Sequence, residues 1–520
     1  MFGVISASLA AVSHQDLDVS ITDGSEPGPV TSAARALGLL SAVCLGLAIA
    51  IMIVVDLAGK SRAEVPPGHR RLWPPWWVPL HLPVSVVSLG LWFAALVGAA
   101  GIAAGLVAVG RGARPAPRAL AVAGLVVVAI FTVLPAAGTT DPYDYAAYGR
   151  IVTLGHNPYL MTPYQLRRTG DPVGRAAPHA WIGTVSDYGP VASIEQAAAA
   201  GLGGRSAASI IFWLKLFNAI AFGAVALLLD RLLRSDPARR ARAHLWWTLN
   251  PLLLWGLIAS GHVDGLGTAI GFCGLILVQA RPPGERPSLA RVAAAAALVG
   301  LAADVKITFA LYGLGILWAV RRSLAGLATA AGSMLAVLAL PYLWFGRPAL
   351  SVLATHRDAT NDTLYRLFAH ALLHPTPAEI GLVIVPVLVI TAAAVLWRLP
   401  DGYPARPAIH PAFAVSLAWM LAWPYQRPWY DAMVLALFAL YPATRLDWPV
   451  LVQLAATTVF YMPGVPGPFP HWTRAVHTVE VTAVIPWIRL AALLAVLALC
   501  ITGAWQGSRA SGTALPSVAP

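Results

Sequence analysis

Apolar stretches long enough to cross a bilayer recur along the whole chain, and no other feature restricts its fold as strongly. They fall near 36–57, 82–110, 117–138, 206–234, 244–260, 262–280, 291–304, 305–320, 324–343, 379–399, 411–424, 429–443, 447–463 and 482–503. Inside hydrocarbon a backbone must satisfy its own hydrogen bonds, which leaves helices or a closed barrel. The runs are continuous and do not alternate with period two, so the pattern predicts helices. The expected fold class is all-α integral membrane, a polytopic bundle of about 11–14 transmembrane helices. Composition agrees: 58% of the 520 residues are hydrophobic and only 11% are charged. A soluble globule carries about a quarter charged residues.

The formal net charge is +12, yet it points to no nucleic-acid partner. The arginines gather in short loops between spans: Arg111–Arg118, Arg231–Arg242, Arg281–Arg291 and Arg321–Arg322. Such loops set orientation and touch anionic headgroups, and with alternating spans all four fall on one face, which the positive-inside rule makes cytoplasmic. Cys44, Cys273 and Cys500 each lie in an apolar span with no disulfide or metal spacing. Residues 1–35 lack the basic start of a signal peptide and read as a cytoplasmic tail; residues 504–520 read as disordered. Between them, 36–503 forms the membrane domain.

Against this background one stretch stands out: DPYDYAAYGRIVTLGHNPY, Asp141 to Tyr159, directly after an apolar span. By the arginine rule it lies outside. It opens a segment, 139–205, rich in Pro and Gly, and connections of that length are usually functional. Other short charged turns emerge on the same face: GHVDG with His262 and Asp264, ADVK with Asp304 and Lys306, and HRDATNDTLYRLFAH with His356, Arg357, Asp358, Asp362 and Arg366. WPYQRPWYD supplies Gln426, Arg427, Trp429, Tyr430 and Asp431, and PHWTRAVH supplies His471, Arg474 and His477. Any one of these could sit idle among the headgroups, and Lys306 with Asp304 could simply brace a hairpin turn. The concentration on one face is what needs a function.

Carboxylates there can take a proton from a hydroxyl. Arg and Lys can hold a phosphate. Tyr, Trp and His at a lipid boundary suit a sugar, through ring stacking and polar tips. Together they describe a sugar carried on a lipid phosphate. No Walker or dinucleotide loop points to a soluble nucleotide donor. His370 and His374 have a metal-ligand spacing but no evident third ligand, so no metal site is assigned and the need for a divalent ion stays open. The sequon at Asn361 matters only in a glycosylating compartment.

These motifs resemble those of the GT-C glycosyltransferases that use polyprenyl-phosphate sugars. In particular they are similar to the actinobacterial polyprenol-phosphate-mannose-dependent α-1,6-mannosyltransferases of lipomannan and lipoarabinomannan synthesis, a cell-wall pathway. The family's Asp-x-Tyr-x-Tyr, Gly, Asn-Pro-Tyr pattern is met by Asp141, Tyr143, Tyr145, Gly149, Asn157, Pro158 and Tyr159. GHVDGL, LAADVKITFALYGL and PYQRPWYDAMVLAL resemble further motifs in matching order over roughly 130–445, with Val263 where Asn is commoner. Three spans precede the acidic motif here, where many GT-C enzymes have one.

The resemblance implies an inverting transfer of mannose from polyprenyl-phosphate-mannose to a glycolipid or mannan acceptor, with an α-linkage formed at the outer face of the plasma membrane. It makes Asp141 the base, with Asp144 the runner-up one helical turn along. Lys306, Arg150 and Arg427 would meet the leaving phosphate. His262 and Asp264 would contact sugar hydroxyls, and Tyr143, Tyr145, Asn157, Tyr159, Trp429 and Tyr430 would complete the sugar and acceptor surface. Two alternatives remain at this stage: an arabinofuranosyltransferase using the same kind of lipid phosphate, and a carrier of lipid-linked glycans. A carrier predicts charges at mid-membrane depth, of which Lys215 in FWLKLFN is the main instance.

Overall fold

The computed structural model describes residues 31–58, 73–78, 80, 82–178, 181–279, 286–350, 363–371, 376–398, 407–462 and 471–504. His356, Arg357, Asp358, Asn361, Asp362 and His374 lie outside the described residues, as do 1–30 and 505–520. Among the described residues every regular element is helical, as the continuous apolar runs predict. Six helices among the described residues are long and apolar enough to cross a membrane: Ser32–Leu57, Val84–Gly110, Ala207–Leu232, Leu324–Phe345, Glu379–Arg398 and His471–Thr502. The 237–259 segment and the Asp264–Gln279 helix form a pair bent by 115°. Shorter apolar helices include Pro117–Val133, Ile307–Ala319 and Ile409–Ala422.

Local sequence sets where these helices begin. Thr31, Ser206, Asp236, Ser288 and Ser323 each accept a backbone N–H of the first turn, and Pro117 and Pro237 fill positions whose N–H would have no partner. Buried aromatics fill the centre: the Phe222 ring stacks on Trp247 at 4.7 Å, and Trp246 meets Phe438 edge-on at 5.0 Å.

The arginine-rich end is locked by ion pairs. Arg242 and Asp447 form a buried pair, and Arg242 also donates to the carbonyls of Phe438 and Tyr441. Arg240 pairs with Asp230, which also accepts from His244 at 2.9 Å. Lys215, the main charge inside a span, has backbone partners. Its Nζ donates to the carbonyls of Leu134 and Pro135 at 2.8 and 3.0 Å, just past the C-terminal end of the Pro117–Val133 helix. The charge of Asp56 lies near enough to act on it.

At the opposite end, the segment expected to be a long loop is itself built from helices: Asp141–Thr153, Pro163–Arg168, Pro172–Ala176 and Pro190–Gly203. Two glycines allow close approach, Gly149 between two helices of the segment itself and Gly189 between the segment and the Leu289–Val305 helix. A Cβ on Gly149 would stand 2.1 Å from the Gln196 carbonyl oxygen, and one on Gly189 would stand 1.9 Å from that of Asp304. Gly189→Ala is therefore expected to force the Pro190–Gly203 helix off its seat. Overpacking of this kind costs about 1–3 kcal/mol, and thermal unfolding in detergent should show a lowered Tm; an unchanged Tm would show that the contact yields freely.

Candidate functional site

Thr140 precedes the Asp141–Thr153 helix, and the Asp141 backbone N–H donates to Thr139 Oγ1 at 3.2 Å. The same oxygen accepts from Tyr461 at 3.1 Å. Asp141 thus sits at a helix start tied to a span distant in sequence. It is half-buried, and loss of water raises its carboxyl pKa above the usual value. A hydrogen bond with Thr139 and the charges of Arg427 and Lys306 draw it back, while Asp187 pushes it up. Two cations from opposite parts of the chain therefore act on one carboxylate.

Asp144, one turn along, is buried, and neither carboxyl oxygen has a hydrogen-bond partner. Burial, then Asp141, then Asp187 raise its pKa well above the ordinary carboxylate value, which disfavours its charged form. Asp141 is the better placed of the two as a base.

Lys306 follows the Leu289–Val305 helix. Its Nζ contacts Asp264 Oδ1 at 3.0 Å and lies 3.5 Å from the centroid of the Tyr430 ring. The ammonium pairs with the carboxylate of a different helix, whereas the sequence had suggested Asp304. The Asp304 carboxylate is buried with no hydrogen-bond partner. The Tyr188 ring lies on the same ammonium, 5.9 Å from Nζ to its centroid.

His262 is set by the π-helical turn Leu254–Ala259 and by Gly261, whose φ of +70° favours glycine. Its Nδ1 lies 2.9 Å from the Tyr145 hydroxyl, which is 2.7 Å from the Tyr188 hydroxyl. Its ring stacks on Trp429 at 3.4 Å, and Nε2 has no hydrogen-bond partner. Gly256 lets the Pro428–Asp431 turn come close: a Cβ there would meet Pro428 at 2.9 Å. Arg427 stands over Tyr425 at 4.4 Å.

The structure thus brings together Asp141, Tyr145, His262, Asp264, Lys306, Arg427, Trp429 and Tyr430 from four separate stretches. Tyr143 is buried, lines a small cavity with Lys215, and packs in the same apolar cluster as Tyr145, Tyr188, Val263 and Val305. Arg150 is at the far end of its helix, nine residues or about 13 Å from Asp141, and pairs with Asp171 at 3.0 Å. Asn157 and Tyr159 anchor the segment. Asn157 Nδ2 donates to the Phe345 carbonyl at 2.7 Å, and the Tyr159 hydroxyl lies 2.9 Å from both the Tyr188 carbonyl and Ser193 Oγ. Arg474 and His477 lie on the separate His471–Val479 helix.

Several participants were missed from sequence: Thr139, Asp187, Tyr188, Glu195 and Asn218. Asn218 carried a usable signal, being a polar side chain inside an apolar span. Tyr188 had only its place in DYGP, which reads as a turn. Among the described residues no group of three or more His, Cys, Asp or Glu is arranged to hold a metal ion.

No curated protein and no solved structure matches the chain. A family model does match, over residues 43–322, just over half the chain, and its description is alpha-(1->6)-mannopyranosyltransferase, N-terminal domain.

Proposed function

The chain belongs to the alpha-(1->6)-mannopyranosyltransferase family, and from that premise we propose that it transfers mannose from a polyprenyl-phosphate donor to a mannan or glycolipid acceptor, with inversion, at the outer face of the plasma membrane. The family speaks for mannose over arabinose and for an enzyme over a carrier. It covers Asp141, His262, Asp264 and Lys306; Arg427, Trp429 and Tyr430 lie beyond the matched residues. The observation that carries the proposal is the half-buried Asp141 carboxylate within the fields of Lys306 and Arg427.

In the proposed step an acceptor hydroxyl oxygen attacks the anomeric carbon. The bond from that carbon to the phosphate oxygen breaks, and its electron pair leaves with the polyprenyl phosphate. Asp141 takes the hydroxyl proton. Lys306 and Arg427 stabilise the charge that grows on the leaving oxygen. A β-linked donor becomes an α-linked product. Trp429, Tyr430 and Tyr145 offer ring faces and a hydroxyl to the sugar, and His262 offers Nε2. The ion pair to Asp171 gives Arg150 a bracing part in the 139–205 segment. Membranes containing the protein should move radiolabel from polyprenyl-phosphate-mannose to an oligomannoside; transfer of arabinose alone would overturn the sugar assignment.

The proposed orientation has its own test. Gly155 has a φ of +80°, so a cysteine is better placed at its exposed neighbour His156. His156→Cys should label from outside intact cells with an impermeant thiol reagent, and exposed Ala238→Cys should not. Labelling of both from one side would show the orientation to be wrong.

A further inference from the structure

Lys306 and Asp264 come from different helices, and their contact is buried. What fixes the turn that carries Asp264? Two residues on, the Leu266 backbone N–H donates to Asn218 Oδ1 at 3.0 Å. Asn218 lies on the Ala207–Leu232 helix, and its Nδ2 donates to Glu195 Oε1 at 2.8 Å and to the Leu214 carbonyl at 3.1 Å. A Cβ on Gly265 would stand 3.0 Å from Asn218 Oδ1, so the turn lies directly on the amide. Glu195 is 7% exposed, and its Oε2 has no hydrogen-bond partner. It belongs to the Pro190–Gly203 helix, which is preceded by Gly189, whose N–H donates to the carbonyl of Val305, the neighbour of Lys306. One helix therefore braces both sides of the pair: beside Lys306 by backbone, and beside Asp264 through Asn218.

We propose that Glu195 is a positioning residue: acting through Asn218, it sets the turn that carries Asp264 and so the placement of Lys306. The inference rests on the reading of Lys306 as a donor-phosphate cation. Asn218 needs an acceptor, but a second negative charge beside Asp264 would compete for the Lys306 ammonium. A neutral carboxylic acid meets both demands. Burial raises the Glu195 pKa to about 8, with the Asn218 hydrogen bond pulling it back and the Asp264 charge adding to the rise. Charged side chains on the helices packed around it are Asp141, Asp144, Arg150, Lys215, Asp230, Arg231, Arg291 and Asp304, and the charge that acts on Glu195 is that of Asp264, at the start of the Asp264–Gln279 helix. The folded value lies above the ordinary one, so Glu195 is uncharged until pH rises through about 8; above it the Asn218 contact persists but a second negative charge stands beside Asp264, where an anionic phosphate is to bind.

The test is equilibrium binding of polyprenyl phosphate to the full-length protein in nanodiscs, followed across pH beside donor KM in the transfer assay. For wild type, affinity should fall above about pH 8. Glu195→Gln keeps an uncharged acceptor for Asn218, so it should bind normally at neutral pH and lose this alkaline fall. Glu195→Ala and Asn218→Ala should each weaken binding about tenfold, the scale of one buried hydrogen bond left unmet, and raise donor KM more than they lower kcat. An alkaline fall retained in Glu195→Gln, or wild-type affinity in a folded Glu195→Ala, would overturn the proposal. A wild type that binds polyprenyl phosphate but transfers no mannose would sink the functional reading and leave this test standing. No binding by wild type would overturn both.

Discussion

Asp141→Asn is expected to lower transfer by on the order of a thousandfold, within the range that a positioned general base supplies. The amide matches the carboxylate in shape, so the helix start and the Thr139 contact are kept. It cannot accept the acceptor's proton. Its effect on the donor should run the other way. Asp141 lies within the fields of Lys306 and Arg427, and removing its charge leaves both cations to the phosphate. Donor KM should therefore stay level or fall while kcat collapses, the signature of a group needed in the transition state and not in the ground state. Asp144→Asn separates the two acids. Burial and its two acidic neighbours disfavour a charge on Asp144, so an amide there should cost little. The rise in the Asp141 pKa also sets the acid side of the profile. Activity should appear as pH climbs through a value above that of an exposed aspartate, because the base must first lose its proton. Steady-state kinetics on both variants decides the matter. A normal rate in Asp141→Asn would remove it from the chemistry, and loss confined to Asp144→Asn would move the base by one turn.

The helices were legible because lipid imposes one rule along the whole chain: runs of apolar residues with basic loops between them. The polar end was legible for a related reason, since charges are so sparse that DPYDYAAYGR and GHVDG stand out at once. Partnerships were not legible, because they depend on helix rotation and on glycine approaches that no single-sequence pattern encodes. Lys306 is two residues from Asp304 in sequence, yet its ammonium meets Asp264, forty-two residues away. Neighbours in sequence point to different sides of a helix end, and in the folded chain it is the turn holding Asp264 that comes within reach. Arg150 shows the same limit from the other direction. It sits inside the most telling motif, but about two and a half turns of helix at 3.6 residues per turn carry it to Asp171. Lys215 was legible as the main charge inside a span, but not its partners, the carbonyls of Leu134 and Pro135.

Lys306→Ala is expected to reduce turnover by at least about a hundredfold, the scale seen when one preorganised charge-stabilising donor is lost. Two costs have to be told apart. The contact with Asp264 is buried, so deleting the ammonium leaves an uncompensated carboxylate and a penalty to folding. Deleting it also removes charge from the donor phosphate, which weakens donor binding and slows chemistry further as charge grows on the leaving oxygen. Lys306→Ala combined with Asp264→Asn removes the first cost and keeps the second. If Lys306 serves only to neutralise Asp264, the double variant should recover both stability and rate. If it meets the phosphate, the double variant should recover stability and remain about a hundredfold slow. Lys306→Arg should restore part of the rate by charge, and not all of it, because the planar fork is larger than an ammonium and lies differently over the Tyr430 ring. The measurement is transfer rate against donor concentration in nanodiscs, with thermal unfolding followed on the same preparations. A double variant with full activity would return Lys306 to a purely structural part and leave Arg427 as the phosphate cation.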